Sequence, residues 1–467
     1  MAADESALTI VVPRAMAMRR ELNEIVKLAS PIIVTQLAQM SMGVADTVMA
    51  GHVSAADLAG VALGGNLYWP VMITLGGVLQ SVTPSVSQYR GAAKLDAIPH
   101  LIRQALWLAF GGGILLFGLM QFSELAFRGI GVDPKAIPIA VAYLDWLLYG
   151  LPPVLGYFVL RYLCEGMSWT LPGMVIALVA LVVKLPLNYL FIYGGAGIEP
   201  MGGAGCGLSS AIVMWFELFA MLGVMRWSRM RNVSVFARFE RPHRREIWRI
   251  TRLGVPIGAT RFFEMGMFSL ISLLIGRLGV DSLAAHQIAG TINGVTFMIP
   301  LSLGVAATIR VGFNVGAGKL DAARLSAFVA LGSSVIFAVA AAAVLLLFRG
   351  DIAAWFSTDL AVVALAADLL IFIAVYQLFD DAQAAAIGAL FGYKDTRVPM
   401  WVTLISYWLF ALPLGAALGL TTFGSTLGVR GFWWGLTLGL GLVAVVLTIR
   451  LNWLSRQTER ITLFARR

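Results

Sequence analysis

The chain has 467 residues, of which 59% are hydrophobic and only 13% charged. A water-soluble chain of this length would interleave its charges; here the apolar residues come in blocks of about 20 or more, enough to cross about 30 Å of hydrocarbon. The net charge of +9 does not point to nucleic acid, because the basic residues flank the apolar blocks and no RNA-binding motif accompanies them.

In chain order the blocks predict twelve transmembrane helices, at roughly 28–50, 59–88, 101–122, 136–160, 172–195, 206–226, 253–276, 284–312, 326–348, 361–389, 400–420 and 431–452. The first twenty residues hold no apolar core and no small-residue cleavage site, so no signal peptide is expected to be removed. Between the sixth and seventh helices lies the longest polar stretch, 227–252. There Arg238, Arg241, Arg244, Arg245 and Arg249 alternate with Phe236, Phe239, Ile247, Trp248 and Ile250. It reads as a linker ending in an amphipathic helix on an anionic membrane surface. Cys164 and Cys206 read as small buried thiols rather than a disulfide or metal pair.

The two halves of the chain repeat each other. Pro31-Ile32 recurs as Pro256-Ile257, Gly51 as Gly276, and the run Gly91–Ala97 as Gly316–Ala322, all 225 residues on. With a slight drift, Gly166 and Thr170 return as Gly392 and Thr396, and Leu185-Pro186-Leu187 as Leu412-Pro413-Leu414. The expected architecture is an all-α membrane protein with two six-helix lobes, 1–226 and 253–467, joined by the linker. Six helices per unit place both lobes in the same orientation, so the repeat is parallel, and such repeats commonly enclose a central pathway. Lys and Arg concentrate at the N-terminus, around Arg90, Lys94 and Arg103, around Lys394 and Arg397, and in the tail. That bias puts both termini in the cytoplasm.

Ionisable groups inside apolar blocks cost about 2.5–3.5 kcal/mol each on insertion scales, so each needs a reason. Asp145 and Asp368 lie near outer helix ends and are expected to be solvated; Glu217 has no evident partner and is expected to reach water or a cavity. Asp46 in the first helix and Asn188 in the fifth lie at similar depth. A lone carboxylate beside an amide suits a proton carrier, because burial penalises its charge. A structural carboxylate is the alternative. Glu264 in the seventh helix lies near the midplane. Tyr376, Asp380 and Gln383 share one face of the tenth helix, whereas Asp381 turns about 100° away. Together they suit a hard cation such as Na⁺ or a shared proton. Arg261, one turn before Glu264, also offers a purely structural ion pair. The chain has no GxxxxGK[ST] loop, HExxH, GxSxG or metal-spaced Cys/His set, so no enzyme is expected.

The segments Val44–Gly51, Leu185–Asn188, Gly202–Gly207, Phe262-Phe263-Glu264 and Gly392–Thr396 resemble the multidrug and toxic compound extrusion (MATE) family, NorM branch, and the resemblance spans essentially the whole chain. It implies a two-lobe antiporter that exports cationic, aromatic and amphipathic drugs and dyes in exchange for H⁺ or Na⁺. It further implies a monomer in a bacterial inner membrane, without a bound cofactor. The family's N-lobe coupling site maps onto Asp46 and Asn188, with Gln39 grouped beside them, and its C-lobe cation site onto Glu264, Tyr376 and Asp380, with Gln383.

Lys184 and Arg261 depart from that pattern and, with Asp381, stand as modulators. A fixed positive charge beside Glu264 opposes Na⁺ by about 4 kcal/mol at 4 Å and an effective dielectric near 20, which favours H⁺ coupling. A lipid-linked oligosaccharide flippase of related architecture would need a ring of cations in the cavity, and only Lys184 and Arg261 are at hand. A major-facilitator transporter would need a Gly-x-x-x-Asp-Arg loop that Gln88–Lys94 does not supply.

Overall fold

The computed structural model describes residues 14–129, 133–195, 197–420 and 427–465. Among them twelve spans form two lobes. The N-lobe holds α1 (Ala15–Gly51), α2 (Ala55–Gly91), α3 (Ala97–Met120), α4 (Ile137–Leu148 and Leu151–Gly166), α5 (Leu171–Tyr193) and α6 (Ala204–Trp227). The C-lobe holds α7 (Arg244–Leu278), α8 (Val280–Gly316), α9 (Leu320–Ala354), α10 (Leu360–Gly392), α11 (Arg397–Leu420) and α12 (Val429–Leu454). A short helix, α13 (Thr458–Ala465), follows.

The departures from straight helices fall at prolines, which lack the amide N–H that a helix needs. The halves of α4 meet at 52° where Pro152-Pro153 follows Gly150. In α11 a π-helical stretch, Ile405–Ala411, precedes Pro413; the widened turn absorbs the carbonyl that the proline ring would strike. Several predicted boundaries move. The first helix begins near residue 15 rather than 28, and α4 runs to Gly166 rather than 160. Residues 244–252 are not a separate surface helix but the opening turns of α7. Each of these extensions is amphipathic or charged, so a search for apolar blocks stops short of it.

The repeat persists in the packing. In the N-lobe a Cβ on Gly166 would meet Val86 and the carbonyl of Thr83; in the C-lobe a Cβ on Gly392 would meet Val311 and the carbonyl of Thr308, the same pair 225 residues later. The lobes also touch reciprocally. Gly91 lies against the backbone of Phe313, and Gly316, its counterpart, against the backbone of Gln88. Only a glycine admits so close an approach, and the symmetry of the two contacts marks a pseudo-two-fold axis between α2 and α8.

Among the described residues, the hydrogen bonds between lobes lie in the half of the molecule that carries the basic connections. Gln88 Nε2 donates to the carbonyl of Gly392 at 2.9 Å. Arg310 grips Glu21 through Nε (2.8 Å) and Nη2 (2.6 Å), and Ser326 donates to the same carboxylate at 2.7 Å. Among the described residues the opposite halves carry no such latch. Removing one partner of so buried a pair strands the other. Glu21→Ala is therefore expected to lower the melting temperature in detergent, and Glu21→Ala with Arg310→Met to recover most of the loss.

The segment between the lobes is clasped to α3. Arg103 Nη1 donates to the carbonyl of Val235 (2.9 Å), Gln104 Nε2 to that of Arg241 (3.1 Å) and Trp107 Nε1 to that of Glu240 (2.9 Å). The Glu240 carboxylate receives Arg103 at 2.7 Å and His100 at 2.6 Å. The hydrogen bond from Arg103 is the main reason Glu240 is held down to about 2, with His100 adding to it. A depressed acid contributes its stability above its unfolded value and loses it only as pH falls toward the folded one, so the clasp persists through neutral pH.

Candidate functional site

Each lobe buries a charged constellation around the carboxylate that the sequence singled out. In the N-lobe, α1 supplies Asp46, α5 supplies Lys184 and Asn188, and α6 supplies Ser209 and Ser210. Asn188 Nδ2 donates to Asp46 Oδ1 at 2.8 Å, and Lys184 Nζ sits 3.0 Å from Asp46 Oδ2. Lys184 also donates to Ser210 Oγ at 2.5 Å, and Ser209 Oγ donates to Asn188 Oδ1. Asp46, Lys184 and Asn188 are all at most 6% exposed. The expectation of a lone carboxylate beside an amide is therefore corrected. Asp46 is ion-paired, because the residue four positions before Asn188 presents its side chain on the same face of α5. Gln39 is not part of this set. It lies two turns along α1, where its Oε1 accepts from Arg161 Nη1 at 3.5 Å.

In the C-lobe, Arg261 and Glu264 pair as their i, i+3 spacing predicts, Nη1 to Oε2 at 3.1 Å. Gln383 Nε2 donates to the other carboxylate oxygen at 2.7 Å, and Tyr407 from the π-helical stretch of α11 donates to Gln383 Oε1 at 2.6 Å. Asp380 is 6% exposed and lies within electrostatic range of Glu264 and Arg261. Tyr376 packs edge-on against Phe268 and Trp433. Neither Tyr376 nor Asp380 hydrogen-bonds Glu264 among the described residues.

A hard cation wants several free oxygens, and both oxygens of Glu264 and the amide oxygen of Gln383 already accept from donors of the chain. No group of three or more His, Cys, Asp or Glu able to hold a metal occurs among the described residues.

Asp381 does turn to another face, as expected, but it is fully buried and neither of its oxygens has a hydrogen-bond partner among the described residues. An unmet buried acceptor costs about 1–3 kcal/mol. Asp381→Asn is expected to leave the melting temperature unchanged or raised, and to be milder for transport than changes at Asp46 or Glu264. Glu217 does not reach water: it is 4% exposed and its Oε1 is unpartnered among the described residues. Asp145 is exposed, and Asp368 pairs with Arg430.

Five contributors escaped the sequence reading. Ser209 and Ser210 on α6 carry no charge to mark them. Tyr407 carries no positional signal, since nothing in the sequence marks a π-helical turn except the nearby Pro413. Arg161 and Glu165, paired at 3.2 Å and nearly buried, fell past the predicted end of the fourth helix. Extending that helix by two turns would have exposed both as intramembrane charges. Cys164 and Cys206 are free and buried.

The sequence model of the MatE family matches residues 31–190 and 256–417, one match per lobe. The chain is similar to the multidrug resistance protein MdtK of Edwardsiella ictaluri (strain 93-146), 38% identical over 443 residues, covering 94% of this chain and 97% of that one. It is equally similar, at 38% over 450 residues, to MdtK of Yersinia enterocolitica, covering 95% and 98%. Among solved structures it superposes on the eukaryotic MATE transporter AtDTX14 with a TM-score of 0.86 at 21% identity, covering 95% of this chain and 100% of that one. It also superposes on an outward-facing multidrug resistance MATE family transporter of the MOP superfamily with a TM-score of 0.83 at 17% identity, covering 94% and 97%.

Proposed function

Since the chain belongs to the MatE family, a family of membrane transporters and not of enzymes, we propose that it is a multidrug exporter, and specifically an antiporter that expels cationic amphipathic drugs in exchange for protons. The MdtK relatives support the drug substrates. The basic side is the cytoplasmic side of a bacterial inner membrane, the protein works as a monomer, and the two lobes open the central cleft alternately to each side. The latched basic half corresponds to an outward-open arrangement, and the solved relative described as outward-facing supports that reading.

The observation that carries the coupling ion is the pairing of each lobe's principal carboxylate with a fixed cation of the chain: Lys184 on Asp46 and Arg261 on Glu264. A sodium ion would have to displace the ammonium of Lys184 or the guanidinium of Arg261. A proton does not, because it binds one carboxylate oxygen and leaves the cation in place. Protonating Asp46 removes the counter-charge of Lys184, so the N-lobe gains a net positive charge. That charge opposes a cationic drug in the cleft, and proton uptake and drug release become linked. The same pairings weigh against a flippase, since both cations that a pyrophosphate would need are neutralised.

The test is counterflow of ethidium in vesicles holding the purified protein, with pH and Na⁺ gradients imposed separately. A pH gradient is expected to drive uptake or efflux. A Na⁺ gradient at equal pH is expected to drive none, and transport in that arm would overturn the assignment.

A further inference from the structure

A groove runs along the outer flank of α3, beginning at the clasped connection and descending toward the bilayer centre. Its upper part, about 510 Å³, is walled by Leu106, Trp107 and Phe110 of α3 and by Phe236 and Phe239 of the connection, with Arg103, Arg238 and Glu240 at its polar end. Its lower part, about 350 Å³, shares Leu106 and Phe110 and continues past Ile114 and Phe117 against Leu151 and Pro152 of α4. From Leu106 to Phe117 is eleven residues, or about 16 Å at 1.5 Å per residue, which is the hydrocarbon depth of one leaflet.

The walls are aromatic: Trp107 meets Phe239 edge-on at 5.9 Å and Phe110 at 6.1 Å. Phe110, Ile114 and Phe117 are each half exposed or more, so the groove is open to the bilayer along its length. At its mouth the one carboxylate, Glu240, is already surrounded by Arg103, His100 and Arg238. Exposed Arg241, Arg244 and Arg245 follow directly. The rim is thus cationic in excess, and the bore is apolar and one leaflet deep.

We propose that this groove is a binding site for one anionic phospholipid of the basic-side leaflet, with an acyl chain in the bore and its phosphate on Arg238 and Arg241. A zwitterionic lipid would fill the bore equally well but would gain little from the rim. Each arginine at such a surface is worth about fivefold in affinity for anionic over neutral lipid. The site lies on the outside of the N-lobe, away from both buried charge constellations, and it stands whichever ion the protein couples to.

The experiment uses the full-length protein in vesicles with a photoreactive diazirine at mid-chain, carried either by phosphatidylglycerol or by phosphatidylcholine. Adducts are mapped by proteolysis and mass spectrometry. The phosphatidylglycerol probe is expected to label 106–117 and 151–156 several times more than the phosphatidylcholine probe, and more than 331–342, the repeat-related stretch of α9. Arg238→Glu with Arg241→Glu, both at exposed positions, should abolish the difference between probes. Ile114→Trp should block labelling below it while leaving the rim preference intact. Equal labelling by the two probes in the wild-type protein, or labelling of 331–342 as strong as that of the groove, would overturn the proposal.

Discussion

Asp46→Asn is expected to reduce pH-driven efflux to background, while the protein still inserts, folds and binds drug. The asparagine can keep the contact with Asn188 but cannot carry a proton, and it leaves Lys184 without a counter-ion. Because the pair is buried, with a separation of 3.0 Å, each single change also has a stability consequence. Breaking a buried pair from one side costs about 3–5 kcal/mol, whereas replacing both members with neutral groups is often nearly free. Lys184→Met alone should therefore be strongly destabilising, and Asp46→Asn with Lys184→Met should recover most of the melting temperature. Transport should not recover in the double variant. That split separates the two roles of Asp46: a structural carboxylate would regain function together with stability, and a coupling carboxylate would not. Efflux near the wild-type rate in Asp46→Asn would rule out Asp46 as the proton carrier.

The second large effect concerns Arg261. Its guanidinium holds one oxygen of Glu264 at 3.1 Å and Gln383 holds the other at 2.7 Å. Arg261→Leu frees the first oxygen, next to Asp380 and within the same buried space. The variant is expected to acquire, or to strengthen, a dependence on Na⁺, read as efflux in Na⁺ against K⁺ or choline at equal pH. At an effective dielectric near 20 the removed repulsion is about 4 kcal/mol at 4 Å, enough to bring a weak cation site into a measurable range. Glu264 and Asp380 should behave as a unit. Glu264→Gln with Asp380→Asn is expected to be little worse than either alone, with a coupling energy of about 0.5–3 kcal/mol in a double-mutant cycle. Additive losses would mean that the two carboxylates do separate work.

Much of this molecule could be read from the sequence because a bilayer imposes strict rules. Every backbone group must be satisfied within its own helix, so apolar length alone located twelve spans, and the repeat at 225 residues assigned them to two lobes. A charge pair inside one predicted helix was equally legible: Arg261 and Glu264 meet because three residues is about one turn, whereas Arg161 and Glu165, one turn apart, lay past a predicted helix end. Pairs between helices were not. Lys184 could be seen as an anomaly in the fifth helix, yet whether it faced lipid, cleft or Asp46 depended on the rotation of α5 against α1. Sequence spacing does not encode that rotation. Gln39 failed for the same reason, since sharing a helix with Asp46 says nothing of which neighbour it meets two turns away.

Composition, hydropathy and internal repetition thus determined the class, the span count, the two-lobe plan and the short list of buried charges, because each follows from the chain's interaction with the bilayer one segment at a time. Only the tertiary structure decided that Asp46 is ion-paired, that Tyr407 completes the C-lobe network through a π-helical turn, and that Glu21 and Arg310 latch the lobes on the basic side. Those outcomes depend on the mutual rotation and depth of helices far apart in sequence. Packing of close-approaching glycines and relief of strain at prolines set that rotation and depth, and no local pattern records either.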